Sequence, residues 1–340
     1  MPGAEPTITW HSDDAIAVGG VDYDLQHAPT TTPGRLRLYK SRELIESYAP
    51  IIAEFAGANL FELGVFGGGS TGFFAQVCRP KQLTAVELST ERITTLDDHL
   101  ARLGLADQVT LHYGVDQSDR DRLAAIVDDD FDGEPLDLVI DDASHLYGPT
   151  RASFEVLFPR LRPGGLYVIE DWRSQDWFIA MFVGVIGRAR DGARHDIEVG
   201  LATSLSDPSS IERPIFEHWF ASTVADPGAT HHEAVRTWYD DLPVATDPTA
   251  ATIRDRLQVV LAERADGSIP PAPPTMGTIA AELCMGMKSG HPAFAEVTMG
   301  PHWISARRGT GAIDGPLSLS TVAADPFAIL APHGSGFLEG

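Results

Sequence analysis

An alternation of short apolar runs with helical patterns, which begins near residue 42, constrains the fold of this chain most. Five runs read as nearly all-apolar strands: NLFEL, LTAVEL, VTLHYG, LDLVID and GLYVIED. Helical patterns separate these runs, as TGFFAQVC does after the first. Strands of a parallel sheet have this character because helices cover both faces of the sheet. The alternation therefore predicts an α/β fold with a doubly wound, mostly parallel sheet.

Acidic residues follow these strands at the point where each strand ends. Ligands of open α/β sheets bind beyond the carboxyl ends of the strands, so we give these positions functional weight. The alternative is turn chemistry, because Asp favours loop starts and helix caps. Acids that only faced solvent would be distributed over both ends of the strands, whereas these acids lie at the carboxyl ends. The acids in question are Glu62, Glu87, Asp116, the pair Asp141 and Asp142, and the pair Glu170 and Asp171.

A glycine-rich turn, FELGVFGGGSTG, separates the first of these strands from its helix. Glycines let the backbone approach a ligand closely, and the start of the helix offers free N–H groups to an anion. The turn lacks the G-x-G-x-x-G spacing of pyrophosphate binders, and no Lys-Ser/Thr pair follows as in a P-loop. A nucleoside without phosphates fits this turn better. The turn contains Gly64, Gly67, Gly68, Gly69 and Ser70.

Two further positions complete a nucleoside site. Glu87 closes the second strand about twenty residues after the glycines, where it can accept both ribose hydroxyls. Its alternative role is a carboxylate near the start of the next helix, before STERI. After the third strand, Asp116 or Gln117 can read an exocyclic amine of the base. Together with the glycine turn, these residues indicate S-adenosylmethionine.

On these residues, the segment from about 39 to 172 resembles the class I S-adenosylmethionine-dependent methyltransferases. The motifs LVIDDASH and RPGGLYVIEDW resemble more narrowly the metal-dependent O-methyltransferases of macrolide sugars, of the mycinamicin and tylosin pathway type. The segment GTIAAELCMGMKSGHPAFAEVTMGPHWISARRG is similar to the closing helix and antiparallel hairpin of that family. The resemblance implies a Rossmann-like sheet of seven strands whose last strand is antiparallel.

The resemblance also implies a divalent cation, usually Mg²⁺, held by Asp142, Glu170 and Asp171, with His145 as general base. Magnesium prefers oxygen ligands and keeps several waters, which two neighbouring oxygens of a substrate can replace. The alternatives are a helix cap at Glu170 and Asp171, and a loop histidine that only hydrogen-bonds at His145. Asp141 either faces the cofactor or supports the ion, and the Asp-x-x-His spacing is the reason for preferring Asp142 as the ligand. The expected cofactor-binding residues are Glu62, Gly64, Gly67, Gly68, Gly69, Ser70, Glu87, Asp116, Gln117 and Asp141.

We therefore expect an O-methyltransferase that tailors a secondary metabolite. Its acceptor is a small molecule with vicinal oxygens, namely a sugar or a glycosylated natural product. A cation that bridges the two oxygens would acidify the hydroxyl, and Asp142 and His145 would act on it. One alternative acceptor is a catechol-like phenol. The other alternative is a protein with the same fold that binds the cofactor without transferring methyl.

Outside the α/β core the sequence predicts less regular parts. The resemblance and the long insertion together lead us to expect a homo-oligomer. We expect an N-terminal extension with a possible hairpin at 1–40, the core at 41–200, an insertion that lids the site or makes an oligomer contact at 201–277, the closing helix and hairpin at 278–310, and a tail at 311–340.

Composition and charge narrow the class of partner. The net charge of −23 repels nucleic acid and anionic lipid, so we expect neither as a partner. The longest apolar stretch, near Phe178–Ile186, is too short to cross a bilayer, and the start MPGAEPTITW does not look like a signal peptide. Cys78 and Cys284 are too few for a disulfide framework. These features predict a cytoplasmic protein.

Overall fold

A computed structural model describes residues 8–25, 34–187, 192–210, 212–270, 273–313 and 316–319, without the side chains of 175–178. The chain divides into two compact units, residues 1–172 with 277–340, and residues 173–276. Most of the predicted tail at 311–340 and parts of the extension at 1–40 lie outside the described residues.

The secondary structure follows the alternation predicted from the sequence. Short 3-10 turns at Ala106–Gln108 and Phe158–Arg160 accompany the longer elements. In chain order the elements are β1 (Ile8–Ser12), β2 (Ala15–Val18), β3 (Val21–Asp24), β4 (Arg35–Arg37), α1 (Arg42–Ser47), α2 (Ala49–Glu54), β5 (Asn59–Leu63), α3 (Gly69–Cys78), β6 (Gln82–Glu87), α4 (Thr94–Leu103), β7 (Val109–Tyr113), α5 (Arg120–Asp130), β8 (Leu136–Asp141), α6 (Tyr147–Leu157), β9 (Leu161–Glu170), α7 (Ser174–Ile186), α8 (Gly192–Ser206), α9 (Glu212–Ala225), α10 (His232–Asp240), α11 (Pro248–Ala265), α12 (Met276–Lys288), β10 (Phe294–Met299) and β11 (Trp303–Arg308).

A seven-stranded sheet forms the centre of the first unit. Its strand order is β10-β11-β9-β8-β5-β6-β7. The strands from β9 to β7 pair in parallel, and β11 pairs antiparallel with both β9 and β10. All five residues of the central strand β5 are buried, as expected for a strand with helices on both faces. The predicted fold class, a doubly wound and mostly parallel sheet with an antiparallel last strand, is confirmed.

A second, four-stranded sheet precedes the main one, with strand order β1-β2-β3-β4. Gly19 and Gly20 form the turn between β2 and β3 with φ of 55° and 85°, values that favour glycine. The sequence predicted a strand pair here, and the structure adds β1 on one side and β4, parallel to β3, on the other. Buried side chains of this sheet, such as Ile16 and Leu36, belong to the same apolar core as the main sheet.

The second unit is helical, with α7 to α11 packed around an aromatic core. Phe182 of α7 contacts Phe216, Trp219 and Trp238 edge to face, at ring-centroid distances of 5.0, 5.8 and 4.7 Å. The predicted insertion began at residue 201, whereas this unit begins at Arg173. The difference has a packing cause, because α7 and α8 share one apolar core with α9, α10 and α11.

Of the helices in the described ranges, none combines the length and the apolar character needed to span a membrane.

A buried polar network joins the ends of the central strands. Asp141, the last residue of β8, is 2% exposed. Its carboxylate accepts hydrogen bonds from Tyr167 Oη (2.9 Å), Ser153 Oγ (3.0 Å) and Gln117 Nε2 (2.7 Å to Oδ1). The Gln117 Oε1 atom in turn accepts from Ser144 Oγ at 2.6 Å. The network therefore ties the loop after β7 to the loop after β8.

The first unit also depends on close contact between the glycine-rich turn and the segment after β4. A Cβ atom on Gly69 would lie 1.9 Å from the carbonyl oxygen of Arg37. Because this neighbour is main chain, it cannot turn away as a flexible side chain would.

We expect Gly69→Ala to lower the free energy of unfolding by about 3 kcal/mol, the upper range for overpacking. Gly148→Ala is the control, because a Cβ there has no atom within 4 Å and the change should stay below about 1 kcal/mol. Denaturant unfolding of both variants measures this. Equal effects would contradict the contact.

A second prediction concerns the pH dependence of stability. Burial raises the pKa of Asp141 from 3.8 to about 6. The folded protein therefore binds this proton more tightly than the unfolded chain does. The resulting stability is fully present below pH 3.8 and is lost as the pH rises through about 6.

Asp141→Asn removes this titration. The variant should therefore gain stability relative to the wild type as the pH rises from 3.8 to about 6, with a constant difference above that range. Denaturant unfolding of the two proteins across this range measures the difference. A difference that does not change with pH, or that changes in the opposite direction, would show that folding does not raise the pKa of Asp141.

Candidate active site at the ends of the central strands

The central strands bring the predicted acidic positions together. β8 lies between β5 and β9, with Asp141 opposite Leu63 on one side and Ile169 on the other. Beyond this row, the Asp142 N–H donates to the carbonyl of Leu63 at 2.9 Å. A Cβ on Gly64 would lie 2.3 Å from the carbonyl oxygen of Asp142. The glycine turn after β5 and the acidic loop after β8 are therefore in direct contact.

Asp142, His145 and Asp171 form a cluster suited to a cation. One ligand atom of each residue lies within 4.8 Å of the others. His145 Nε2 is 3.7 Å from Asp142 Oδ1, and both side chains are partly exposed. The two aspartates come from the ends of neighbouring strands, as the sequence predicted, and the histidine joins them through the Asp-x-x-His spacing.

Strained backbone surrounds this cluster. Among the described residues, seven non-glycine residues have positive φ. Four of them are Tyr39, Phe66, His145 and Asp171, with φ between 48° and 53°. Such conformations cost about 1–3 kcal/mol each and persist where the surrounding structure imposes them. The loops of the site are therefore held in particular shapes rather than in their locally preferred ones.

A buried lysine lies beside the cluster. Lys40 Nζ is 2.8 Å from Asp142 Oδ2 and 2.6 Å from Glu170 Oε2. The Tyr48 hydroxyl donates to the other oxygen of Glu170 at 2.7 Å. Burial alone would lower the pKa of Lys40, but the charges of Asp142 and Glu170 outweigh it and raise that pKa. Glu170 thus faces Lys40 and Tyr48, and it is not part of the cluster that Asp142, His145 and Asp171 form.

Reasoning from the sequence missed Lys40 and Tyr48. Both residues precede the first of the five predicted strands, and Lys40 is the last residue of the predicted N-terminal extension. A signal was present, since Lys40 is one of only three lysines in a chain of net charge −23. It immediately precedes Ser41, whose side chain caps α1.

Glu62 lies under the glycine turn and is 2% exposed. Its Oε2 accepts from the Thr71 hydroxyl at 2.6 Å. Its Oε1 is buried and has no hydrogen-bond partner within the part of the chain that the structure describes. Burial raises the pKa of Glu62 to about 7. An unsatisfied buried carboxylate oxygen is costly, which suits a position that receives a donor from a ligand.

Glu87 ties the end of β6 to the glycine turn. Its Oε2 accepts from the N–H groups of Val65 and Phe66 at 3.0 and 2.9 Å, and Oε1 accepts from the N–H of Ser89 at 2.9 Å. A carboxylate has about four lone-pair positions, so capacity for a ribose hydroxyl remains.

The other predicted cofactor positions divide into exposed and inward-facing residues. Asp116 is exposed, and its carboxylate accepts from the N–H of Ser118 at 2.7 Å, which lowers its pKa. Gln117 and Asp141 instead turn inward and bond to each other. A direct contact of either with a ligand stays a prediction. In the structure they support the loop that carries Asp142 and His145.

The residues present fit both groups that the resemblance implies. A methyl-donating nucleoside would have an open acceptor at Glu62 and a carboxylate at Glu87, beside the glycine turn. A divalent cation finds the oxygens of Asp142 and Asp171 within one cluster. Carboxylates are the ligands that Mg²⁺ prefers, so the donor set suits that ion.

Comparisons with known proteins find matches within the α/β core of this chain. Residues 61–172 match the family described as a methyltransferase domain. The mycinamicin VI 2''-O-methyltransferase of Micromonospora griseorubida is 38% identical over 110 residues, which cover 28% of this chain and 26% of that protein. A tetracenomycin rhamnosyl 2'-O-methyltransferase of Streptomyces olivaceus is 37% identical over 109 residues, 25% of this chain and 29% of that protein. The match thus spans about a quarter of these relatives.

Among solved structures, the MycE methyltransferase of the mycinamycin pathway, in complex with Mg and SAH, has a TM-score of 0.41. It is 17% identical, and the alignment covers 80% of this chain and 51% of that one. The resemblance predicted from the sequence is confirmed by the family match and the relatives: residues 61–172 of this chain match a methyltransferase domain.

Proposed function

We propose that this protein is an S-adenosylmethionine-dependent O-methyltransferase that modifies a hydroxyl of a sugar or glycosylated natural product with the help of Mg²⁺ or another divalent cation. One observation carries the proposal: Asp142, His145 and Asp171 cluster beside a glycine turn that suits a nucleoside. The relatives support the acceptor class, since the names of two tetracenomycin methyltransferases place the methyl group on a rhamnosyl unit. An acceptor with vicinal oxygens would suit an ion that keeps open coordination positions.

Different residues of the chain would bind the methyl donor, hold the ion and accept the proton. Glu62 would accept from the amino end of the methyl donor, Glu87 from its ribose, and the exposed Asp116 from its base. Asp142 and Asp171 would hold the ion, which when bound lowers the pKa of the coordinated hydroxyl. His145 would take the hydroxyl proton on an imidazole nitrogen. Asp142 Oδ1, 3.7 Å from His145 Nε2, would orient the ring.

Alignment of the acceptor hydroxyl with the methyl donor would account for much of the rate of methyl transfer. The acceptor oxygen must lie in line with the S–CH₃ bond, and holding reactants in such a geometry can contribute about 7–11 kcal/mol. The strained loops at Phe66, His145 and Asp171 suit this task, because a preformed site spends little binding energy on ordering itself.

The experiment that tests the function measures release of S-adenosylhomocysteine with a panel of glycosides and a panel of catechol-like phenols. We expect turnover with a glycoside and Mg²⁺, and no turnover in excess EDTA.

Asp171→Asn should lower turnover by at least about a hundredfold at any Mg²⁺ concentration that leaves the fold intact, because it removes one ligand. Asp22→Asn, on the N-terminal sheet, is the control and should retain activity.

Turnover that persists in EDTA would remove the ion from the reaction. Turnover of phenols alone would replace the acceptor class. Tight cofactor binding without turnover on either panel would favour a protein that binds the cofactor without transferring methyl.

His145→Ala tests the general base. Loss of a positioned base typically costs about 10²–10⁴-fold in rate, so we expect kcat to fall by that factor while S-adenosylhomocysteine affinity, measured by calorimetry, stays unchanged. His11→Ala is a matched control, since His11 Nε2 also lies near an aspartate, 3.6 Å from Asp22 Oδ1, away from the site. If the His145 variant lost cofactor affinity and turnover together, the histidine would be structural.

A further inference from the structure

We propose that Arg37 binds the carboxylate of the methyl donor, with its guanidinium placed at the glycine turn by contacts with Phe66 and Tyr39. The inference rests on the proposed function and deepens it, because it names the residue that recognises one end of the donor. Arg37 lies in the predicted N-terminal extension at 1–40, outside the residues that the sequence led us to expect at the cofactor.

The segment from β4 to Lys40 alternates between buried and accessible side chains. Leu36, Leu38 and Lys40 are buried. Arg37 is partly exposed, and Tyr39 is 56% exposed. Successive side chains of an extended segment point to opposite sides. The side that carries Lys40 therefore faces the interior, and the side that carries Arg37 and Tyr39 is accessible to a ligand.

The main chain at Arg37 packs against the start of α3. A Cβ atom on Gly69, the first residue of this helix, would lie 1.9 Å from the Arg37 carbonyl oxygen and 2.6 Å from the Leu38 Cα atom. The N-cap residue is Gly68, which has no side chain to cap the first N–H groups. The first N–H groups of a helix attract an anion. Arg37 is therefore fixed beside the part of the glycine turn that suits a carboxylate.

The guanidinium of Arg37 lies over the ring of Phe66, a residue of the glycine turn. Its Cζ atom is 4.7 Å from the centroid of that ring and 5.3 Å from the centroid of the Tyr39 ring. Contacts of this kind between a cation and aromatic rings are favourable. The Phe66 N–H donates to Glu87 Oε2 at 2.9 Å, which fixes the turn below the ring. A guanidinium has five N–H donors in a planar fork, so a carboxylate at the turn can accept two of them side by side.

The charges of the site favour a cation at this place. The amino-acid end of S-adenosylmethionine carries an ammonium and a carboxylate. Glu62, whose Oε1 atom has no hydrogen-bond partner among the described residues, suits the ammonium, but its negative charge would repel the carboxylate. The charge of Lys40 is already balanced by Asp142 and Glu170. Arg37 supplies a positive charge at the turn, so Glu62 and Arg37 together match the two charges of the ligand.

Calorimetry on the full-length protein tests the inference with two ligands that differ by one group, S-adenosylhomocysteine and its decarboxylated analogue. We expect the wild type to bind S-adenosylhomocysteine about ten- to a hundredfold more tightly than the analogue, the range for a hydrogen bond to a charged group. Arg37→Met should lower the affinity for S-adenosylhomocysteine by that factor. The affinity for the analogue should stay unchanged, because the analogue lacks the group that Arg37 binds.

Two further variants serve as controls. Arg35→Met changes an exposed arginine of β4 that pairs with Asp24, and it should alter neither affinity. Arg37→Lys keeps the positive charge but loses the planar fork. This variant should therefore retain part of the preference for the ligand with the carboxylate.

The outcomes separate the inference from the proposed function. The inference would be overturned, and the proposed function would stand, if Arg37→Met kept the wild-type affinity for S-adenosylhomocysteine or lost affinity for both ligands equally. Equal loss would mean that Arg37 only shapes the turn. A wild type that binds neither ligand would overturn the proposed function, and the inference with it. Should Arg37→Met fail to fold, a wild-type crystal with S-adenosylhomocysteine decides, since the carboxylate must lie about 2.9 Å from the guanidinium.

Discussion

The site depends on a close approach of two main chains. At the ends of β5 and β8, the distance between Gly64 and the carbonyl of Asp142 leaves no room for a side chain, since a Cβ on the glycine would lie 2.3 Å from that oxygen. Gly64 also has a φ of 92°, a conformation that other residues rarely adopt. The turn suited to the nucleoside and the loop suited to the ion are therefore parts of one junction.

Concentrating acids at one sheet edge creates an electrostatic problem, which the buried lysine solves. Asp142, Glu170 and Asp171 lie within the reach of one another and would repel if left alone. Lys40 and the Tyr48 hydroxyl satisfy Glu170, and the partly exposed cluster stays accessible. A buried ion pair is weak grounds for stability, because desolvation offsets its attraction. We therefore relate this pair to the orientation of the carboxylates rather than to the strength of the fold.

The parts of the fold and site that depend on local pattern could be predicted from the sequence. Apolar strands alternating with helices predict a parallel sheet, and the carboxyl ends of parallel strands lie along one edge. Asp142 and Asp171 follow two such strand ends, and the structure shows them close together. The Asp-x-x-His spacing was the reason for preferring Asp142 as the ligand; His145 Nε2 does lie 3.7 Å from Asp142 Oδ1, and the roles of both residues stay predictions. What depends on distant packing could not be predicted. Lys40 is 102 residues from Asp142 and 130 from Glu170, and no local pattern reports such a contact. The start of the helical unit at Arg173 likewise depends on packing among helices far apart in the chain.

The adjacent acids Asp141 and Asp142 show why side-chain direction decides function here. Successive side chains at the end of a strand point to opposite sides, so two neighbouring aspartates enter different surroundings. Asp141 enters a closed network with Tyr167, Ser153 and Gln117, where burial raises its pKa to about 6. Asp142 faces Lys40 and His145 and remains partly exposed. One carboxylate thus stabilises the loop, and the other remains available for chemistry. Because Gln117 also holds Ser144, the residue before His145, the network that buries Asp141 fixes the loop on which both the proposed ligand and the proposed base lie.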